Sequence, residues 1–326
     1  LDLQDDAGLH WTGGSYRPEI HNAGVMRKSG GIGTSSIYMT VNNTGTVEAG
    51  SGTLSFAGGS HQLAGSTLTG GRWVVRDGAA LEFTGLPAIT ANQGEILLDG
   101  PTAEFSGLAG LSDNQGAIAL IGGKTLAVTG DFTNSGCADL AAGCGLAVAG
   151  NFAQSVGGKL AVVVDDAGLA GTVSADSATL DGQFAVTVDP AFSPDPLTTI
   201  EVMAFTSRTG RFATRSGETF ADLALATTYT STTVTLVATV PGDASLDAAV
   251  GIADLGILAG SYGSTDADWV AGDFNGDSIA GIADLGILAG NYGRDMATGG
   301  TRVPEPAGLS LLALAAVGLL RRRKAG

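Results

Sequence analysis

The chain has 326 residues, 52 of them glycine and only 6% aromatic, and a formal net charge of −16. A glycine share more than twice the ordinary ~7%, joined to 44% apolar and only 15% charged residues, excludes a disordered chain, which combines high charge with low hydrophobicity. Five of the sixteen basic residues lie at or beyond Arg302, so the body is more acidic than the total; it repels phosphate backbones, excludes nucleic acid as a partner and favours cations.

Residues 1–20 read as an N-terminal edge. The sequence opens at Leu1 with no charged-then-apolar leader, and an export signal is expected to have been removed or to lie upstream. From residue 22 a rhythm sets in. Asn-x-Gly recurs at Asn22–Gly24, Asn43–Gly45, Asn92–Gly94, Asn114–Gly116 and Asn134–Gly136, with Gly70-Gly71 where another is expected. Each is followed by a short apolar run, a glycine turn and a second short strand: GTLSF, GAALEF, GPTAEF, GKTLAV, GCGLAV. Leu54 and Phe56, Leu81 and Phe83, Leu126 and Val128, and Leu146 and Val148 alternate with polar or small residues, so each pair faces one way.

Self-similarity at roughly twenty residues signals a stacked fold. The expectation is a mainly β chain: a right-handed parallel β-solenoid over 21–170 with two strands per coil, tight inward turns and asparagine side-chain ladders. This stretch resembles the passenger-type β-solenoids of bacterial surface proteins; a β-sandwich with irregular hairpins is the alternative. Cys137 and Cys144 are read either as a bridged pair or as two small core residues. Residues 171–240 alternate cleanly in ATLDGQFAVTV, TTIEVMAF and TYTSTTVTLVATV, and are expected to form a β-strand cap over the last coil.

Chemistry is sparse in this body. His10, His21 and His61 share no metal-ligand spacing, and no G-x-S-x-G, P-loop or G-x-G-x-x-G occurs. Aligning the motifs puts Glu82 over Glu104, ~5 Å apart if they share a rung, which is near the carboxylate separation of retaining glycosidases. The next rungs offer Ser55 and Ala127 rather than basic or sugar-stacking residues, so the pair reads as two solvated glutamates and the chain as noncatalytic. A polysaccharide lyase or glycoside hydrolase on a solenoid is the alternative.

Residues 242–298 hold a segment written twice. GIADLGILAGSYG at 251–263 returns as GIADLGILAGNYG at 281–293, with only Ser261 exchanged for Asn291. Upstream of the first copy, Asp243, Ser245, Asp247 and Asp254 occupy positions 1, 3, 5 and 12 of a twelve-residue loop; Asp273, Asn275, Asp277 and Asp284 do so in the second. Oxygen ligands at that spacing, completed by the position-7 carbonyls of Ala249 and Ile279, are what a Ca²⁺ loop requires. Leu255, Leu258 and Tyr262, and then Leu285, Leu288 and Tyr292, predict a short helix after each loop, stopped by Gly263 and Gly293. Helices of about ten residues are unstable alone, so the two units must pack together, with Trp269 as wedge.

Over 242–293 the chain resembles a type I dockerin module. The resemblance implies two calcium-loaded loop–helix units related by near two-fold symmetry. It also implies a cohesin-like or other extracellular protein partner read by the helix faces, here Ile252, Ala253, Ile282 and Ala283, in either of two orientations. Three departures stand out: Ala248 and Ser278 replace the usual glycine at position 6, Gly251 and Gly281 fill position 9, and the Ile-Ala pairs are apolar where cohesin-reading dockerins often carry polar residues. A calcium-stiffened spacer is the alternative.

After a linker at 299–303, Pro304, Glu305 and Pro306 precede an apolar run over 307–320 and then Arg321, Arg322, Arg323 and Lys324. Fourteen helical residues reach ~21 Å, less than a ~30 Å hydrocarbon core, so the C-terminal hydrophobic helix contacts a membrane at least transiently, with its cations on the cytoplasmic side. The order resembles the PEP-CTERM sorting signal of exported bacterial proteins. That resemblance implies an exosortase partner, cleavage near Pro304–Pro306 and delivery to the envelope or matrix, where an exopolysaccharide is a further expected contact; a plain tail anchor is the alternative.

Overall fold

Runs such as GEILLDG, GAIALIG and GCADLAA carry only four or five strand residues between turns, too few to bury an apolar side alone, so they must be stacked. The structure, a computed structural model, describes residues 1–14, 18–85 and 88–296. Over these the body is a parallel β-solenoid. One wall is a ten-stranded sheet in the order Asp2–Leu3, Val25–Lys28, Thr46–Ala49, Arg72–Val75, Glu95–Asp99, Ala117–Ile121, Cys137–Leu140, Lys159–Val164, Gln183–Val188 and Thr214–Ser216. Every neighbouring pair in it is parallel. A second wall runs Thr34–Ile37, Gly52–Phe56, Ala79–Glu82, Glu104–Phe105.

The coil has a third short strand where two per period were expected. Ala91–Asn92, Asp113–Asn114 and Phe132–Asn134 pair in parallel, so each Asn of the Asn-x-Gly motif ends a strand rather than sitting in a bare turn. Two or three residues are too few to display an alternation. These asparagines are fully buried and hydrogen-bond up the stack: Asn92 Nδ2 donates to Asn114 Oδ1, Asn114 to Asn134, and Asn134 to Gln154 Oε1, at 2.8–2.9 Å. Each also donates to a main-chain carbonyl of the next coil, as Asn114 does to Cys137. A Cβ on Gly116 would lie 2.1 Å from the Gly94 carbonyl oxygen, and one on Gly136 2.0 Å from that of Gly116, which is why glycine follows the asparagine two places on. Leu68 stands in register with Asn92 and interrupts the ladder.

Side chains at one register position form a column through the core: Trp73, Ile96, Ile118, Ala138, Leu160 and Phe184, all 2% exposed or less. A parallel column holds Ala49, Val75, Leu98, Leu120, Leu140 and Val162. Its preceding rung is Lys28, a fully buried lysine whose Nζ donates to the Asp5 carbonyl, to Asp6 Oδ1 and to the Gly30 carbonyl at 2.7–2.9 Å. All three ammonium protons are thereby matched. Cys137 and Cys144 are both free thiols, and burial with Asp139 beside it pushes the Cys137 thiol up to about 11.

The parallel ladder continues past residue 170, into the stretch expected as cap, as far as Thr214–Ser216. Antiparallel pairing in that stretch is confined to Thr199–Ala204, Leu223–Tyr229 and Thr233–Thr239, with the short Thr219–Phe220. Alternation is equally compatible with a coil strand and a hairpin strand, so the sequence pattern does not separate them. Leu223–Tyr229 is two-faced: Leu225 belongs to the solenoid core, while Ala224 and Ala226 pack against the carboxyl-terminal helices. The linker, Pro304–Pro306, the 307–320 helix and Arg321–Lys324 lie outside the described residues, and among the described residues no helix is long and apolar enough to cross a membrane.

Replacing Asn114 by Ala strands the Asn92 donor, the Asn134 carboxamide oxygen and the Cys137 carbonyl in the interior. It should cost about 2–4 kcal/mol, read as a lowered denaturant midpoint; Asn22→Ala at the partly hydrated first rung should cost about 1 kcal/mol.

Candidate metal centre

Two ten-residue helices, α1 (Ile252–Ser261) and α2 (Ile282–Asn291), follow the two oxygen-rich loops. The last loop carboxylate also begins each helix. Asp254 Oδ2 accepts from Gly251 N at 2.7 Å and its Oδ1 from Ser245 N at 2.8 Å; Asp284 takes Gly281 N and Phe274 N, both at 2.8 Å. One carboxylate therefore caps a helix start and fixes the loop entry, a placement the helix dipole also favours. Gly263 and Gly293, at φ of 90° and 80°, end the helices.

The units bind each other reciprocally. Gly293 N donates to the Val250 carbonyl and Gly263 N to that of Ala280, both at 2.8 Å; Val250 N and Ala280 N return bonds to Arg294 and Ser264. Gly242, which precedes the first loop, packs on Leu288 of α2, and Gly272, which precedes the second, packs on Leu258 of α1. Trp269 is fully buried between them and its Nε1 donates to the Asp243 carbonyl at 2.6 Å. These paired contacts are those of an approximate two-fold.

Inside each loop the first aspartate collects main-chain amides. Asp243 accepts from Asp247 N and Ala248 N, and Asp273 from Gly276 N, Asp277 N and Ser278 N. Ala248 (φ 67°) and Ser278 (φ 65°) adopt the left-handed conformation that glycine would take at position 6. Burial raises both carboxyls above the usual range, opposed at Asp243 by the Thr239 hydroxyl and at Asp273 by the Arg215 guanidinium. Asp273, Asp277 and Asp284 each bring a carboxylate oxygen within 4.8 Å of the other two. Hard oxygen donors that converge in this way, on a backbone held by its own amides, fit a divalent cation such as Ca²⁺. Among the described residues no second cluster of this kind occurs, so Asp243, Asp247 and Asp254 are less closely drawn together. Asn275 Nδ2 donates to Asp277, and Ile279 lies 44% exposed.

Sequence reasoning missed Arg215 and Glu218. Arg215 takes the next rung after Phe184 in the core column. Its Nη2 donates to Asp273 Oδ2 at 2.7 Å and its Nε to Glu218 Oε1 at 3.3 Å, with Arg215 and Asp273 both 0% exposed. Burial pushes the Glu218 carboxyl up, against the pull of Arg215 and Thr227. The available signal was an arginine at an inward position of a strand, Thr214-Arg215-Ser216. A groove of about 650 Å³ separates this turn from α2, bounded by Glu218, Phe274, Asn275 and Asn291.

Glu82 and Glu104 do not share a rung. Ala80 lies opposite Glu104 and Leu81 opposite Phe105, while Glu82 faces Ser55. The turn through Pro101 and Thr102, tied to Asp77 by two hydrogen bonds, consumes residues that motif alignment assigned to the strand. The two carboxylates are thus diagonal neighbours at ~8 Å between Cα atoms, each accepting only from a hydroxyl two residues on. Ile252 (60%), Ile282 (71%), Ala253 and Ala283 are exposed at the helix starts. No protein-family model and no curated protein matches the chain.

A left-handed alanine costs about 1–2 kcal/mol, and glycine gives back about 0.5–1 kcal/mol of that in chain entropy. Ala248→Gly should therefore stabilise the calcium-free chain by about 0.5–1 kcal/mol in denaturant titration. Ser278→Gly forfeits the bond from Ser278 Oγ to the Ala213 carbonyl and should be near neutral.

Proposed function

We propose that the protein is an exported structural element of the cell envelope or extracellular matrix. In this reading the solenoid is a stalk, and the dockerin-like pair over 242–298 binds two calcium ions and joins the stalk to a cohesin-like or other extracellular protein. The PEP-CTERM-like tail at 304–326 routes the chain through an exosortase. The observation that carries the reading is the reciprocal loop–helix pair, with oxygen donors converging in the second loop and two equivalent apolar corners, Ile252-Ala253 and Ile282-Ala283, left on the surface. Paired exposed isoleucines at equivalent places suit a partner that docks in either of two orientations. Asp243, Ser245, Asp247, the Ala249 carbonyl and Asp254 would hold one ion; Asp273, Asn275, Asp277, the Ile279 carbonyl and Asp284 would hold the other. Bound calcium would supply the charge balance that lets three carboxylates per loop sit together.

Calcium at a hundred times its Kd should stabilise the full chain by about 2.7 kcal/mol per loop, seen as a raised melting temperature that a chelator reverses. An identical melt in millimolar calcium and in chelator would remove the metal assignment.

For the partner, immobilised type I cohesin is the probe. Ile252→Asp with Ile282→Asp should abolish capture while leaving calcium binding intact, and either single change should retain most of it through the other orientation. Full capture by the double variant would reject these corners as the docking surface.

A further inference from the structure

The helices that follow the two loops are nearly identical in sequence. The loops share their aspartates at positions 1, 5 and 12 but differ at positions 3, 6 and 7, and the solenoid presents different groups to them. The first aspartate of the first loop, Asp243, meets the neutral hydroxyl of Thr239. Its counterpart Asp273 meets the guanidinium of Arg215. Arg215 is there because of the stack: its rung follows Leu160 and Phe184 in a column of large apolar side chains, and a cation at the end of that column has no water to face. An unpaired buried cation is strongly destabilising, so the position demands an anion from whatever covers the end. Glu218 supplies one from the same turn, and Asp273 supplies the other from the loop.

The main chain makes the same junction. Arg215 N donates to the Gly276 carbonyl at 2.8 Å, and Ser278 Oγ donates to the Ala213 carbonyl at 2.6 Å. A Cβ on Gly276 would lie 2.3 Å from the Arg215 carbonyl oxygen, so the second loop approaches the last coil as closely as one coil approaches the next. The loop that is braced in this way is also the loop whose three carboxylates converge.

We propose that Arg215 is a positioning residue for the second cation loop, anchoring Asp273 from the last coil so that divalent-cation binding there and closure of the solenoid end reinforce one another. The inference rests on the calcium reading above and adds to it an order and a consequence. The second loop is the pre-assembled site, and its occupancy is felt in the solenoid. Coupling of this kind runs in both directions. A partner held on the helices would then pull on the stalk through a calcium-dependent joint.

The test uses the full chain and CaCl₂ alone. Calorimetric titration should give two sites in the wild type, one of them lost in Asp284→Asn. Arg215→Met combined with Glu218→Gln removes both buried charges together and keeps the acceptor that Thr227 N uses. It should weaken that same site ~10- to 100-fold and leave the other unchanged, as loss of an outer-shell partner does. Arg215→Lys should recover part of the loss. A purely structural role would lower the melting temperature without moving either affinity. Hydrogen exchange needs no variant: calcium should slow the amides of 214–218 as well as those of 273–284. If the wild type binds no calcium, the calcium reading itself falls. If it binds two ions, then unchanged affinities in the double variant, or exchange at 214–218 that ignores calcium, overturn the role of Arg215 and leave the calcium reading standing.

Discussion

Parallel stacking satisfies each coil through its neighbours and leaves the whole difficulty at the ends, where a column of apolar side chains and a row of main-chain groups have no next coil. The chain meets this by placing a cation in a core column near each end and facing it with oxygen. Near one end Lys28, one rung inside Leu3, donates its three protons to Asp5, Asp6 and Gly30. At the other Arg215 is gripped by Glu218 and Asp273. An apolar side chain in either place would be cheaper in desolvation but would not select what covers it. A buried cation accepts only a cover that brings a matching carboxylate in the right place, so it converts a nonspecific apolar end into a specific junction.

The covering elements follow from that junction. The hairpin of Leu223–Tyr229 and Thr233–Thr239 needs two apolar faces, one for the solenoid and one for the helices, and Leu225 against Ala224 and Ala226 provides them. Alanine on the outer face lets the helices approach closely enough for the second loop to reach Arg215. Thr239, at the end of the same hairpin, reaches the first loop through Asp243. The helices, hairpin and last coil thus share one interface, and the duplicated segment is bonded to the solenoid at both of its loops.

The parts written in repeats were legible in sequence. Asn-x-Gly announced the coil because a buried carboxamide needs its counterparts at a fixed offset, and the glycine two places on is forced by a carbonyl of the coil below. The twin loop–helix pattern was legible for the same reason, since its spacing is local. What escaped depends on register between coils. Glu82 and Glu104 share a motif frame, but the Pro101-Thr102 turn shifts the strand so that Glu104 meets Ala80. The third wall was hidden because strands of two or three residues show no period. Arg215 carried no sequence signal of its role because its inward direction is set by Phe184 thirty-one residues earlier, and its partner Asp273 lies fifty-eight residues later.

Near-identity of the two helical segments and inequality of their surroundings look contradictory but have one cause. Two short helices that stabilise each other by exchanged contacts, Gly242 on Leu288 and Gly272 on Leu258, constrain both copies at the same positions, so a change in one must be matched by the other. That mutual constraint ends at the loops' outer rims, where the solenoid can touch only what its own geometry reaches: a hydroxyl at one rim and a guanidinium at the other. The inner surfaces of the pair are therefore held alike by symmetry, and the outer rims are free to differ. What the last coil adds to the second loop is therefore a contact that the first loop lacks, beyond the loops' own differences at Ser245 and Asn275, Leu246 and Gly276, and Ala248 and Ser278.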